Sequence, residues 1–194
     1  MSKRIALLSV AALGALTLTA AIVAPAGVQA KMMKSEWSGE KTVMVGGAAM
    51  FPSKNIIQNA VNSRDHTTLV AAVKAAGLVG TLEGKGPFTV FAPTNAAFGK
   101  LPAGTVDTLV QPENKPTLTK ILTYHVVPGR LAASSLTEGK KLTTVEGEEL
   151  TVRKSGGKVT IVDAKGGSST ITISNVNQSN GVIHVIDTVL MPAS

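Results

Sequence analysis

The sequence predicts an α+β fold in which helices come first and strands follow. Up to about residue 125, apolar residues recur mainly at helical spacing, whereas from Lys141 onward they alternate with polar residues. One buried strand, Phe88 to Ala92, interrupts the helical half and has to join the later sheet. Helices and strands are thus segregated along the chain, which indicates helices packed on a sheet and not a βαβ fold.

Residues 1–30 have the three parts of a secretory signal peptide. Lys3 and Arg4 precede an apolar run from Ile5 to Val23, and small residues lead up to Ala30. We expect cleavage after Ala30 and a secreted protein at the cell surface, in the extracellular space or in the periplasm, without stable membrane insertion. An uncleaved anchor is the alternative, because the apolar run is almost long enough to span a bilayer.

The rest of the chain suits one domain. Residues 31–50 mix polar residues and glycines and are predicted to be a flexible leader, and residues 51–194 are predicted to be the folded domain. There is no cysteine, so no disulfide can stabilise the protein outside the cytoplasm. The hydrophobic core has to be sufficient by itself.

The helical half contains five predicted helices. They cover residues 56–62, about 66–76, 96–100, 106–110 and 116–124. Ser53 is predicted to cap the first, Asp65 or Thr67 the second, and Thr105 the fourth, while Gly77 ends the second. Residues 78–82 are predicted to be a short apolar turn.

The strands begin with the segment between Pro87 and Pro93. Phe88, Val90 and Ala92 alternate with their neighbours there, and Thr94 is placed to cap the short helix that follows. Residues 126–129 are predicted to be a short extended segment and turn. Five further strands are predicted at residues 142–145, 150–154, 158–163, 170–175 and 182–190.

The charge pattern argues against a nucleic-acid partner. The net charge is +7, but the Lys and Arg residues are scattered singly among acidic residues, and aromatic residues make up only 3% of the chain. Nucleic-acid-binding proteins gather cations on one face, often with aromatic residues between them. We expect a solvated surface with at most a weak attraction to anionic polysaccharide or lipid head groups.

No local motif indicates catalysis, a metal site or a cofactor. We predict His66 to be a solvated neighbour of a helix cap, His184 to be a buried, hydrogen-bonded core residue, and His125 to be the histidine with the best functional prospects. The thioethers of Met32 and Met33 alone make a poor set of metal ligands. A Ser–His–Asp set assembled only by the fold leaves no local signature, so that alternative stays open.

Several segments resemble, in order and spacing, the signature boxes of the fasciclin (FAS1) domain. Phe88–Phe98 is similar to the first box, commonly Thr-Val-Phe-Ala-Pro-Thr-Asp-x-Ala-Phe, and Gly181–Pro192 is similar to the second. Tyr124-His125 matches the central Tyr-His pair. The resemblance extends from about Asn55 to Pro192, and one departure is Asn95, where Asp is common.

The resemblance implies a FAS1-type β wedge or sandwich with N-terminal helices packed on it, in a single-domain secreted protein of the bacterial type. It implies a non-enzymatic adhesion module that needs no cofactor and contacts a cell-surface or matrix protein or polysaccharide. The alternative that it implies is a carrier of a small apolar ligand such as a carotenoid or a lipid. The residues that it marks as structural are Phe88, Phe91, Pro93, Thr94, Asn95, Phe98, His184 and Asp187.

Tyr124 and His125 are the candidate partner-binding residues. The chain changes from helical to extended geometry at this pair, so we expect one ring to turn inward and the other to stay near the surface. If His125 is the inward ring, its nitrogens need hydrogen-bond partners, and the resemblance implies Thr94 or Asn95 for this role. Tyr124 is expected to remain accessible to a partner.

Overall fold

The computed structural model describes residues 41–193, so the predicted signal peptide and residues 31–40 of the predicted leader lie outside the described residues. Within them the α+β fold is confirmed. Three short 3₁₀ turns, Arg64–His66, Pro112–Asn114 and Ala133–Ser135, accompany the following helices and strands. The helices are α1 Ile56–Ala60, α2 Thr67–Ala76, α3 Val79–Glu83, α4 Asn95–Gly99, α5 Thr105–Leu109 and α6 Lys115–Tyr124. The strands are β1 Val43–Val45, β2 Ala48–Met50, β3 Phe88–Pro93, β4 Val126–Pro128, β5 Lys141–Thr143, β6 Glu149–Ser155, β7 Lys158–Val162, β8 Ser168–Gln178 and β9 Gly181–Ile186.

Seven strands form one sheet in the order β4-β3-β9-β8-β7-β6-β5. The β3–β9 pair is parallel and every other pair in this sheet is antiparallel. Just beyond β5, the Val145 amide donates a hydrogen bond to the Val126 carbonyl of β4, with an N···O distance of 2.7 Å. This bond joins the two ends of the strand order, so the sheet is nearly closed.

Strands β3 and β9 separate two hydrophobic cores. Successive side chains of a strand point to opposite faces, so Val90 and Ala92 of β3 pack toward the helices while Phe91 packs inside the curved sheet. The helix-side core lies against α1, α2, α4 and α6. The interior core consists of Phe91, Tyr124, Val127, Leu136, Leu142, Leu150, Val152, Ile161, Ile186 and Leu190.

Residues 43–50 correct the predicted leader. They form the β1–β2 hairpin, in which Val45 and Met50 are buried in the helix-side core. The prediction was wrong here because strands of three residues give too little alternation to be recognised. The apolar run Thr42 to Val45 and the pair Gly46-Gly47 that forms the turn were the available signals.

The helix starts contain smaller corrections. Asn55, and not Ser53, caps α1 through a capping box with Gln58, a pattern that the spacing Asn-x-x-Gln could have indicated. Residues 78–82 mostly form α3, and Gly104, not Thr105, precedes α5. Pro93 is the last residue of β3, since the missing amide matters little at a strand end.

Candidate functional site

His125 connects the end of α6 to the chain that follows β9. Its Nδ1 lies 2.8 Å from the Ile121 carbonyl one turn back, and its Nε2 lies 3.0 Å from the Leu190 amide. A carbonyl accepts and an amide donates, so this geometry fixes the tautomer that carries its proton on Nδ1. His125 is 3% exposed, as expected of the inward ring, but its partners are Ile121 and Leu190, not Thr94 or Asn95.

Burial keeps His125 neutral. It lowers the pKa of the imidazole to about 4, against the opposing effects of the Ile121 carbonyl and the Asp163 carboxylate. A proton on Nε2 would also remove the acceptor for the Leu190 amide. The imidazole is therefore a fixed structural connector at neutral pH and not a group poised for proton transfer.

Tyr124 is fully buried, which corrects the expectation that its ring stays near the surface. The ring belongs to the interior core, because α6 ends with this side chain directed under the curved sheet. Its hydroxyl accepts a hydrogen bond from the Ala164 amide at 2.9 Å and donates to the Glu149 carbonyl at 3.3 Å. Burial raises the pKa of Tyr124 to about 12. A partner contact near the pair therefore has to use the surface around it.

The side chains of Thr94 and Asn95 accept hydrogen bonds from backbone amides at the N-termini of two helices. The Thr94 hydroxyl accepts from the Ala97 amide at 3.2 Å and caps α4, as predicted. The Asn95 Oδ1 accepts from the Thr68 amide at 3.0 Å, in the first turn of α2, whose own N-cap residue makes no side-chain cap. Its Nδ2 donates to the Arg64 carbonyl at 2.9 Å, which an aspartate carboxylate could not do.

The second box contains His184, which lies in β9, and Asp187, which directly follows that strand. His184 is fully buried as predicted: it stacks on Phe91 with ring centroids 5.8 Å apart, and its Nε2 lies 2.8 Å from the Leu131 carbonyl. Asp187 accepts from the Thr170 amide at 2.8 Å. Burial raises the pKa of Asp187, but this hydrogen bond, the Thr188 hydroxyl and Lys100 outweigh it and lower the pKa overall.

His66 is buried, so the prediction of a solvated side chain was wrong. It is 3% exposed, its Nδ1 lies 2.8 Å from the Ser63 hydroxyl, and its Nε2 has no hydrogen-bond partner among the described residues. The ring lines an apolar cavity of about 50 Å³ between the hairpin, α1, α2 and the sheet. His125 lines the same cavity, together with Leu69, Val73 and Ile183. Burial lowers the pKa of His66.

A smaller apolar groove of about 30 Å³ lies at the surface beside the Tyr124-His125 pair. It is formed where α3, α6, β4 and the turn after β5 meet, and it is lined by Leu78, Thr81, Leu82, Phe88, Leu122, Thr123, Val126 and Val145. Val145 is 46% exposed. A single apolar residue before Glu146-Gly147-Glu148 was the signal in the sequence for this groove.

The remaining residues of the first box, Phe88, Pro93 and Phe98, are at least partly buried. Phe88 packs against the helix-side core, Phe98 on α4 is 9% exposed within that core, and Pro93 is buried at the end of β3. The sequence did not reveal Asn180, whose side chain accepts from the Ile56 amide and donates to the Leu82 and Gly84 carbonyls. Its partners are more than 90 residues away, so no local pattern could have identified it.

Residues 41–193 contain neither a metal site nor a membrane-spanning helix. No group of three or more His, Cys, Asp or Glu side chains is arranged to hold a metal ion. No helix in this part of the chain has the length and apolar composition to cross a membrane. Among residues 41–193, the hydrogen bonds of the three histidines go to backbone groups and to the buried Ser63 hydroxyl, and none goes to a carboxylate.

Comparison with known proteins identifies the family. The family model of the fasciclin domain matches residues 64–192 of this chain. Protein sll1483 of Synechocystis sp. is 50% identical over 153 residues, covering 79% of this chain and 82% of that protein. The cell surface glycolipoprotein MPB83 of Mycobacterium bovis is 34% identical over 179 residues, covering 90% of this chain and 77% of that protein.

A solved structure confirms the fold. The FAS1 domain pair of the insect cell adhesion molecule Fasciclin I superposes with a TM-score of 0.65 at 18% identity, covering 73% of this chain and 52% of that one. The two sequence boxes lie side by side in β3 and β9, and the nearly closed sheet and packed helices match this architecture. The chain belongs to the fasciclin family and contains a FAS1 domain.

Proposed function

We propose that this protein is a secreted, non-enzymatic binding module that attaches to a cell-surface or matrix partner. Membership of the fasciclin family supports adhesion, and the names of two similar proteins, a cell surface glycolipoprotein and an insect cell adhesion molecule, point to the same compartment and role. The buried histidines support a role without catalysis. The apolar run of residues 5–23 behind Lys3 and Arg4 supports export.

The observation that carries the proposal is the exposed apolar groove beside the Tyr124-His125 pair. Val145 leaves 46% of its surface in water, next to Leu78, Leu82 and Val126. Tyr124 and His125 lie in the chain between two residues that line the groove, Thr123 and Val126. Their own side chains are anchored by hydrogen bonds to Glu149, Ala164 and Leu190. We propose that the groove receives an apolar side chain of a partner protein, and that the pair acts on binding by holding the groove in shape.

The substitution Val145→Ser tests this role. It removes the exposed apolar surface without changing charge, and the hydrogen bond from the Val145 amide to Val126 involves only backbone atoms. Beads coated with the variant should adhere several-fold less to cells of the species from which the chain comes. The matched control is Val61→Ser, because Val61 is 48% exposed at the end of α1 and does not line the groove. Equal adhesion by both variants and the wild type would rule out the groove as the contact.

The apolar cavity beneath the hairpin supports the alternative, a carrier of a small apolar ligand such as a carotenoid or a lipid. Its lining is apolar except for Ser63, His66, His125 and Lys74, but its volume of about 50 Å³ accommodates only a few water-sized molecules. A carotenoid or lipid would therefore require the hairpin or α1 to move. Purification from the native source distinguishes the functions: a stoichiometric pigment or lipid in the purified protein supports the carrier.

A further inference from the structure

The outward face of β5–β7 is an unpartnered sheet surface. The inward side chains of these strands, including Leu142, Leu150, Val152 and Ile161, fill the interior core, so the alternate residues face solvent. The outer face of β5–β7 consists of Lys141, Thr143, Glu149, Thr151, Arg153, Ser155, Lys158, Thr160 and Val162. The main contacts between helices and the seven-stranded sheet among the described residues are with β3, β4 and β9, at the other end of the strand order.

Three cations cross this face in a diagonal line. Lys141 lies opposite Thr151, Arg153 opposite Thr160, and Ser155 opposite Lys158. Each step from one cation to the next is therefore one strand across and two residues along. With strands ~4.8 Å apart and ~6.8 Å per two residues, neighbouring cations are about 8 Å apart at their Cα atoms.

The carboxylates on the face do not neutralise this line. Lys141 pairs with Glu149 at 2.9 Å and Arg153 with Glu138 at 3.7 Å, and the side chains of both pairs are about half exposed or more. Water and salt screen ion pairs that are this exposed, so the pairs are weak and an external anion can replace them. Lys158 has no carboxylate within ion-pair distance among the described residues.

The hydroxyl groups between the cations suit a hydroxylated partner. Thr143, Thr151 and Thr160 have side-chain hydroxyls with no hydrogen-bond partner among residues 41–193. Each of these hydroxyls can both donate and accept. A polysaccharide presents hydroxyls along its whole length, so a chain lying across the strands can form hydrogen bonds with these threonines.

The side chains of this face do not suit a nucleic acid or an anionic lipid surface as the partner. It contains no aromatic side chain on which a nucleic-acid base could stack. The exposed large apolar side chains of the described residues, Met44, Phe51, Val61 and Val145, lie elsewhere, so none can insert into a lipid surface from this face.

We propose that the outer face of β5–β7 binds an anionic polysaccharide, whose carboxylate or sulfate groups replace Glu149 and Glu138 at Lys141 and Arg153. This proposal rests on the extracellular binding function proposed above, and names a partner class on a second face, remote in the strand order from the hairpin and α1. At physiological ionic strength charges are screened over ~8 Å, which is about the distance between neighbouring cations of the line. A single charge therefore attracts a polymer only weakly, so binding requires several charges at once and weakens as salt is added.

The test uses alginate, dextran sulfate and neutral dextran, each immobilised on a sensor surface. The full chain should bind the two anionic polymers and not neutral dextran. The triple variant Lys141→Gln, Arg153→Gln, Lys158→Gln should bind the anionic polymers about tenfold more weakly, since it removes all three cations of the line. The matched control, Lys74→Gln, Lys85→Gln, Lys115→Gln, removes three exposed cations from the helical side and should retain wild-type binding.

Equal losses in the two triple variants would overturn the proposal, because binding would then follow net charge alone. Tighter binding to single-stranded DNA or to phosphatidylserine vesicles than to both anionic polymers would also overturn it. Val145→Ser separates the two proposals: it should keep polysaccharide binding while losing cell adhesion. Adhesion by the wild type without any binding to the anionic polymers would remove this inference and leave the proposed function standing.

Discussion

At the residue scale, the Tyr124-His125 pair stabilises two different parts of the molecule. The Tyr124 ring fills the interior core and its hydroxyl joins Glu149 to Ala164, whereas His125 joins Ile121 to Leu190. The sequence allowed one inward ring to be predicted, since a helix ended there. It could not reveal that both are buried, because Leu190 comes 65 residues later in the chain and approaches only when β9 has paired with β3.

Tyr124→Ala should therefore strongly destabilise the fold, in contrast to the sequence-based expectation of an accessible ring. Removal of a fully buried aromatic ring costs about 3–5 kcal/mol, and Tyr124 has no exposed surface. Tyr124→Phe is the matched control, since it keeps the ring and removes only the hydroxyl, at a cost of about 1 kcal/mol. Urea denaturation measures both free energies of unfolding. A loss below about 1 kcal/mol for Tyr124→Ala would contradict the buried position.

At the element scale, the later strands were the most predictable part of the chain. The alternation from Lys141 onward gave all five strands to within a few residues. It is clearest in β5–β7, which have one face in the interior core and the other in water, whereas β9 is buried on both faces. Helix starts were less predictable. The cap of α2 comes from Asn95, 27 residues beyond the amide that it satisfies, and this kind of capping leaves no local pattern.

The β1–β2 hairpin was the main omission, and its turn offers a sharp test. Gly46 and Gly47 both have positive φ, of 55° and 76°. A Cβ on Gly46 would lie 2.7 Å from the Asp65 amide nitrogen and closer still to the Ser63 hydroxyl, whereas a Cβ on Gly47 would meet nothing within 4 Å. Gly46 also accepts a hydrogen bond from the Arg64 amide at 3.1 Å, so the hairpin is joined to the segment before α2.

We expect Gly46→Ala to destabilise the protein clearly more than Gly47→Ala. Both substitutions place an alanine at positive φ, at a cost of about 1 kcal/mol, but only Gly46→Ala also pushes the hairpin off Ser63 and Asp65. Thermal melts of the two variants compare the costs directly. Equal melting temperatures would show that the hairpin does not dock as described and would favour the flexible leader over residues 43–50.

At the scale of the whole molecule, two cores share the β3–β9 pair, and all three histidines are buried against it or beside it. His184 packs on Phe91, while His66 and His125 line the cavity on the helix side. The burial of His184 was predicted from its alternation with Val182 and Ile186, and His125 was expected to turn inward, whereas His66 was expected in solvent. The burial of His66 depends on the hairpin covering it, and the hairpin was not recognised.

Three buried neutral histidines make the stability of the fold sensitive to mild acid. Burial lowers the pKa of His66 and His184 below the usual 6.5 and lowers that of His125 to about 4. The unfolded chain therefore binds protons first as the pH falls. Their neutral forms stabilise the fold fully above about pH 6.5, and stability is lost as the pH falls from there through the folded-state pKa of each histidine, which for His125 is about 4. The slope is at most about 1.4 kcal/mol per pH unit for each histidine.

We expect the free energy of unfolding to decrease steadily between pH 7 and pH 5, before most carboxylates titrate. Urea denaturation at pH 7, 6 and 5 measures the slope for the wild type and for His125→Gln, whose side chain cannot take up a proton in this range. The variant should be less stable at pH 7. Below pH 6.5, however, its free energy of unfolding should decrease less steeply than that of the wild type, by close to 1.4 kcal/mol per pH unit, because one buried histidine is missing. Stability that stays constant from pH 7 to 5 in the wild type would show that the unfolded and folded chains bind protons equally. In that case the three imidazoles would not be held neutral by burial, and the hydrogen bond from the Leu190 amide to the His125 Nε2 could not be the connection that joins α6 to the end of the sheet.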